Sequence, residues 1–314
     1  PSTSNTVNQV VNQPPSQTFR YEVTGPGVTA DRVASGNITP DGTPDIVIGS
    51  GVGSPGAVSV VDGASRQVLV RFEPFGSDFT GGVFVAAGDI DGDGIADVAV
   101  TAGTGGGPRV RVYLMKGGQP VPVADFLALD PDFRGGLRVA LGDVNRDGFA
   151  DLVVAPGPGG GPRVAVYDGR SLRPDFTPDR LFNDFFAFDP GSRIGAFVAV
   201  GDLNGDGYGE IVVGADAGGG PRVSVYDGRG LAVQETPVLV ANFFSGDPAD
   251  RGGVRVDVRD LNGDGTVELA TGAGVGSGTT VRVYAGAAVL AGGAPTPILE
   301  LDAFPGETGG VYVG

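Results

Sequence analysis

Short apolar runs rich in valine, interrupted by glycine, proline and aspartate, fill the chain from about residue 31 onward. Between 83 and 127 the runs are Val83–Ala87, Asp97–Thr101, Arg109–Leu114 and Val123–Leu127. Runs of this length, β-branched and bounded by turn residues, predict strands. No segment combines helical periodicity with helix caps. The Asp168-Gly169 and Asp227-Gly228 pairs predict two-residue hairpin turns.

This four-run unit recurs. GNITPDGTPD (36–45), GDIDGDGIAD (88–97), GDVNRDGFAD (142–151), GDLNGDGYGE (201–210) and RDLNGDGTVE (259–268) align, with their second residues at 37, 89, 143, 202 and 260. The successive steps are 52, 54, 59 and 58 residues. A second element follows each loop, such as GGGPRVRVYLMKG (105–117), GGGPRVAVYDG (159–169) and GGGPRVSVYDG (218–228). Four antiparallel strands per unit, repeated at this period, predict an all-β propeller of five four-stranded blades. The blades fall at about 31–80, 81–134, 135–193, 194–251 and 252–308, with a terminal strand at 309–314. Phe19–Val23 resembles a fourth strand and Gly309–Gly314 a first strand. Closure therefore has three readings: five blades with spare strands, a sixth blade completed by the termini, or a piece of a longer array. Spare strands also offer an edge for self-assembly.

Residues 1–17 are polar and rich in Ser, Thr, Asn, Gln and Pro, which predicts a flexible linker ahead of a propeller spanning 18–314. The chain starts without methionine or signal peptide, as expected of a processed or trimmed product. No apolar stretch approaches the ~20 residues of a membrane-spanning helix. A net charge of −16 argues against nucleic acid as a partner. Cysteine and histidine are both absent, which removes thiolate sites, the commonest general base and every imidazole triad.

The aligned loops place oxygen-bearing side chains at alternate positions around a glycine, as calcium requires of a tight loop. In the second repeat these are Asp89, Asp91, Asp93 and Asp97, with the carbonyl of Ile95 and a sharp turn at Gly94. The third offers Asp143, Asn145, Asp147 and Asp151 with the carbonyl of Phe149. The fourth offers Asp202, Asn204, Asp206 and Glu210 with the carbonyl of Tyr208, and the fifth Asp260, Asn262, Asp264 and Glu268 with that of Thr266. An EF-hand needs Glu at position twelve and flanking helices. Here position twelve is Val100, Val154, Val213 or Thr271, so that reading fails. Turn formation alone accounts for one such loop but not for four, because uncompensated carboxylates repel. Magnesium fits less well, since it demands stricter octahedral geometry. In the first loop Asn37 and Thr39 replace acids, leaving Asp41 and Asp45, so binding there is weak or lost.

These four acidic loops and the Gly-Gly-Gly-Pro elements at 105–108, 159–162 and 218–221 resemble the FG-GAP/VCBS repeat family, which includes the calcium-binding blades of integrin α-subunit propellers. The resemblance covers roughly 18–308 and implies an ion between the first and second strands of a blade. It also implies a choice among adhesion, ligand binding and auxiliary roles in secreted enzymes, which fold alone does not make.

Other motifs are less informative. Gly-Gly-Gly-Pro-Arg-Val lacks the Gly-Lys-Ser/Thr of a phosphate cradle and reads as a tight turn. Arg109, Arg163 and Arg222 occupy one equivalent place, suited to pairing with acids or ringing an anion. Phe126, Phe185, Phe186, Phe188, Phe243 and Phe244 read as packing between blades. Off-motif acids Glu73, Asp125, Asp184 and Asp257 form no recognisable catalytic pair.

The leading expectation is a non-enzymatic, secreted or cell-surface module with calcium at about four sites stapling the blades. Its partner would be an extracellular protein or glycan. The alternatives are a subunit of an extracellular fibre joined by terminal strands, and a propeller domain of a secreted polysaccharide-active enzyme.

Overall fold

The computed structural model describes residues 32–314 except Asp175, together with the backbone of Asn5–Gln9 and Phe19–Val23. Those two segments, β1 (Asn5–Gln9) and β2 (Phe19–Val23), pair antiparallel with Asn5 opposite Val23. β1 falls inside the segment read as a linker; the rest of 1–17 lies outside the described residues.

Five four-stranded antiparallel blades follow, each a meander in sequence order, and together they form a five-bladed propeller. The first holds β3 (Arg32–Gly36), β4 (Asp45–Gly49), β5 (Val58–Val61) and β6 (Val68–Phe72). The second holds β7 (Val83–Gly88), β8 (Asp97–Ala102), β9 (Arg109–Lys116) and β10 (Gln119–Leu127). The third holds β11 (Leu137–Gly142), β12 (Asp151–Pro156), β13 (Arg163–Tyr167) and β14 (Phe185–Phe186). The fourth holds β15 (Ala196–Gly201), β16 (Glu210–Ala215), β17 (Arg222–Tyr226) and β18 (Leu239–Phe244). The fifth holds β19 (Val254–Arg259), β20 (Glu268–Ala273), β21 (Thr280–Ala285) and β22 (Leu299–Asp302).

The first strands β3, β7, β11, β15 and β19 pack on one another around the axis. Second strands β8, β12, β16 and β20 are buried along their whole length, as continuous apolar runs covered on both faces must be. Fourth strands are more exposed: β18 alternates buried and exposed residues over 241–244 and β22 half-buried and exposed ones, the pattern of a half-solvated edge.

Blades are also stitched to one another by aromatic pairs. A phenylalanine from one fourth strand meets a tyrosine from the next blade's third strand: Phe72–Tyr113, Phe126–Tyr167, Phe185–Tyr226 and Phe243–Tyr284, with ring centroids 4.9, 5.0, 4.7 and 5.3 Å apart. Phe126, Phe185 and Phe243 thus pack between blades as expected, whereas Phe186 and Phe244 remain largely exposed.

The Asp-Gly pairs do not make hairpin turns. Asp168 and Asp227 instead cap a 3₁₀ turn (Gly169–Ser171) and helix α1 (Gly228–Gln234), accepting from Arg170 N and Gly230 N at 2.9 and 3.0 Å. Aspartate favours a helix cap as readily as a turn, and the connection here is too long for a two-residue hairpin. A further short helix, α2 (Gly286–Leu290), fills the same place in the fifth blade.

Residues 309–314 lie between the fifth and first blades. Val311 N donates to Ala273 O at 3.0 Å, as Val83 N does to Ser50 O at the first blade boundary.

Candidate metal centre

Each acidic loop is the connection between first and second strands. The last ladder pairs before the loops are Gly88↔Asp97, Gly142↔Asp151, Gly201↔Glu210 and Arg259↔Glu268. The ninth loop residue therefore opens the second strand, deep in the blade, while the first, third and fifth stay near the surface.

The first acid organises the turn. Asp89 accepts from Gly92 N and Gly94 N at 2.7 and 2.8 Å, and Asp202 from Gly205 N and Gly207 N at 2.7 and 2.8 Å. Asp260 does the same with Gly263 N and Gly265 N, and Asp143 accepts from Asp147 N and Gly148 N. Gly94, Gly148, Gly207 and Gly265 all have φ between 83° and 90°, the left-handed region that glycine enters without strain. The fifth acid accepts from the N–H two residues on, as Asp206 does from Tyr208 N at 2.9 Å.

The ninth residue is buried in every loop: Asp97 and Asp151 are 1% and 0% exposed, Glu210 and Glu268 0% and 3%. Asp97 accepts from Ile90 N and Met115 N, both at 2.9 Å, and Asp151 from Val144 N and Gly169 N at 3.0 Å. Glu210 reaches Leu203 N and Asn204 Nδ2 at 2.7 and 2.9 Å; Glu268 holds Leu261 N and Asn262 Nδ2 at 2.9 and 3.2 Å. Burial, reinforced by neighbouring acids, pushes Asp97 up to about 6, Asp151 to about 7 and Glu210 to about 8, and raises Glu268. A carboxylate kept ionised in such a place needs a cation nearby.

Among the described residues, the second loop alone brings three carboxylates into one coordination sphere. Single oxygens of Asp89, Asp91 and Asp97 all lie within 4.8 Å of one another. Lys116, the chain's one lysine, places its ammonium 2.6 Å from Asp91 and also on Asp93, holding Asp93 below the usual carboxylate range. Arg170, at the equivalent place in the third blade, pairs with Asp147 at 3.0 Å. Basic residues at this position thus compensate acids that an ion would otherwise neutralise. Sequence reasoning gave Lys116 no role there, because the contact spans two hairpins. The donor set, hard oxygens on a tight glycine loop, fits calcium. In the first loop Asp45 is fully buried and tied by Ile38 N, Thr39 N and Gly63 N at 2.6–2.9 Å, so backbone amides serve its charge.

Consecutive loops also touch. Ala96 N donates to Asn37 O, Ala150 N to Asp89 O and Gly209 N to Asp143 O, at 2.7–2.8 Å. The second, third and fourth loops are therefore each bonded to the loop of the preceding blade.

The family models for FG-GAP-like repeat and FG-GAP repeat match residues 89–154 and 194–230, which contain three of these loops. The chain belongs to the FG-GAP, integrin-α-like repeat family. It is 31% identical to mouse integrin alpha-IIb over 256 residues, covering 73% of this chain and 24% of that protein. To integrin alpha pat-2 of Caenorhabditis elegans it is 29% identical over 220 residues, 61% of this chain and 18% of that protein. The FG-GAP chain thus spans about a quarter or less of these relatives. Two solved structures resemble it more distantly. They are the Dos1 propeller (TM-score 0.47, 14% identity, 88% of this chain and 60% of that one) and rhamnogalacturonan lyase YesW (0.42, 12%, 97% and 62%). Likeness at that level does not bear on activity.

The arginines of the GGGPR elements are occupied within their own blades. Arg109 grips Asp125 through Nε and Nη2 at 2.5 and 2.6 Å, Arg163 pairs with Asp184 at 2.8 Å, and Arg222 with Asn242 at 3.0 Å. Asp125 and Asp184, two of the off-motif acids, are thereby accounted for.

Proposed function

We propose that this FG-GAP propeller is a non-enzymatic extracellular binding module in which calcium staples the blades through the strand 1–2 loops. The observation that carries the reading is the convergence of Asp89, Asp91 and buried Asp97 in the second loop. The ligands are Asp89, Asp91, Asp93, Asp97 and the Ile95 carbonyl, with the equivalent sets at 143–151, 202–210 and 260–268. Likeness to integrin alpha chains supports a surface location, where calcium near millimolar suits loops of ~10⁻⁴–10⁻³ M affinity. Because the second, third and fourth loops are each bonded to the loop of the preceding blade, an ion in one of them would stiffen the blade junction as well as its own hairpin. Calcium that binds the folded loops preferentially raises the unfolding temperature. The test is a thermal melt in millimolar calcium against excess chelator. A rise of several degrees with calcium, absent with magnesium, is expected; identical melts in calcium and chelator would overturn the proposal.

A further inference from the structure

The end of β9 serves the second loop twice. Met115 N donates to buried Asp97 at 2.9 Å, and the next residue, Lys116, sets its ammonium 2.6 Å from Asp91 and also on Asp93. The third blade repeats the arrangement, with Gly169 N on Asp151 and Arg170 on Asp147, both at 3.0 Å. The place of Lys116 and Arg170 holds Ala64 in the first blade, Arg229 in the fourth and Ala287 in the fifth. The alanines bring no charge, and Arg229 makes no ion pair among the described residues. A base from this place therefore rests on the acids of the second and third loops, and in the second it spans two of them.

The second loop also differs in charge. Asp91 stands where the third, fourth and fifth loops have Asn145, Asn204 and Asn262, so this loop carries four carboxyl groups and each of the others three. Lys116 offsets one of them and returns the loop to the charge of its neighbours. Carboxylates gathered as closely as Asp89, Asp91 and Asp97 repel one another unless a cation lies beside them, and the ammonium is such a cation. Its hold is partial. Among the described residues it pairs with Asp91 and Asp93 and with neither Asp89 nor Asp97. An ammonium has only three N–H donors, whereas calcium takes six to eight oxygens and is able to engage the whole loop. The Lys116 side chain is 44% exposed, so its ion pairs are hydrated and weak enough to exchange.

We propose that Lys116 is the resident cation of the second loop, that calcium must displace it, and that it thereby sets the calcium affinity of that loop. The inference rests on the calcium reading of the acidic loops and adds to it a competition that the fourth and fifth loops lack. Without calcium, the ammonium keeps Asp91 and Asp93 together and offsets part of their charge. With calcium, both carboxylates turn to the ion and the ammonium is released to solvent. Affinity in such loops follows the charge of the ligand set, so removing the competing charge tightens the site.

Two neighbouring residues make the second loop visible by itself. Met115 is the chain's one methionine and Lys116 its one lysine, so ¹⁵N-methionine gives one amide signal and ¹³Cε-lysine one side-chain signal from the full chain. Calcium titrated at fixed pH and ionic strength is expected to move both signals with the same midpoint, and to bring the lysine signal to the position of a free side chain. Lys116→Gln should lower the Met115 midpoint by about threefold to tenfold, the scale of two exposed ion pairs. Arg229→Gln, which removes the same charge from the place where no pair forms, should leave that midpoint unchanged. A Met115 midpoint that Lys116→Gln does not lower, or a lysine signal that stays still while Met115 moves, would overturn the exchange and leave the calcium reading standing. A Met115 signal unmoved by calcium in both the wild type and Lys116→Gln would overturn the exchange as well, and the melt in calcium against chelator then tells whether the calcium reading falls with it.

Discussion

At the scale of single residues, the ninth position of the second to fifth loops sets a carboxyl group in a buried place. Asp97, Asp151 and Glu210 are buried acids raised to about 6, 7 and 8 from ordinary values of 3.8 and 4.5. Between those limits the folded chain holds protons that the unfolded chain has released. Their contribution to stability is therefore complete below about pH 4 and is lost as pH rises through about 6 to 8. In chelator, the melting temperature should fall between pH 6 and 8.5. If calcium staples the loops as proposed, it takes the ionised carboxylates, and its stabilising increment should grow over the same interval. Melts at a series of pH values, with and without calcium, check both trends; a chelated protein that gains stability across this range would contradict the assignment of buried, proton-holding acids. The motif was legible because its residue types and spacing are local. That the ninth residue is the buried one was not, since it depends on where the second strand sits in the blade.

At the scale of the element, the four strands of each blade pair in sequence order, and specificity at four of the junctions comes from the tyrosine that the third strands of the second to fifth blades carry. Tyr226 packs on Phe185 of the preceding blade and donates its hydroxyl to Ala187 O at 2.8 Å. Tyr167 does the same with Phe126 and Ala128 O at 3.1 Å. Tyr226→Phe removes one buried hydrogen bond and should cost about 1 kcal/mol. Tyr226→Ala also removes the ring and leaves a cavity between blades, a loss of about 3–5 kcal/mol. Urea denaturation of the two variants measures both; equal costs would mean that the ring does not join the blades. The sequence showed recurring phenylalanines near the fourth strands and their role in packing. Their partners lie one blade away, and the pairing emerges only when the blades stand side by side. The Asp-Gly pairs show the opposite failure, since a local signal for a hairpin turn was overridden by a longer connection in which aspartate caps a helix.

At the scale of the whole molecule, residues 309–314 contribute Tyr312 to a triangle of rings with Phe84 and Phe197 at the axis and bond to β20 through Val311 N. Tyr312→Ala should therefore cost about 3 kcal/mol or more, since it empties one corner of a buried aromatic cluster. Chemical denaturation measures it, and a cost under about 1 kcal/mol, the level of an ordinary surface change, would show that the segment is not part of the ring. The alternation Arg32, Phe84, Arg138, Phe197, Arg255, Tyr312 was present in the sequence, at or next to the first residue of each inner strand and in the terminal segment. It carries no recognisable motif, and its meaning depends on five inner strands and the terminal segment meeting at one axis.

The sequence by itself determined the repeat, the four strands of each unit, the propeller and the residue types of the acidic loops. All of these follow from periodicity and turn chemistry over short spans of chain. Tertiary structure alone decided which loop gathers three carboxylates, which basic residue stands beside them, which blades share an aromatic pair and where the arginines converge. The physical reason is distance along the chain: Arg138 and Asp216 lie 78 residues apart, and only the curvature of the ring brings such groups within a hydrogen bond.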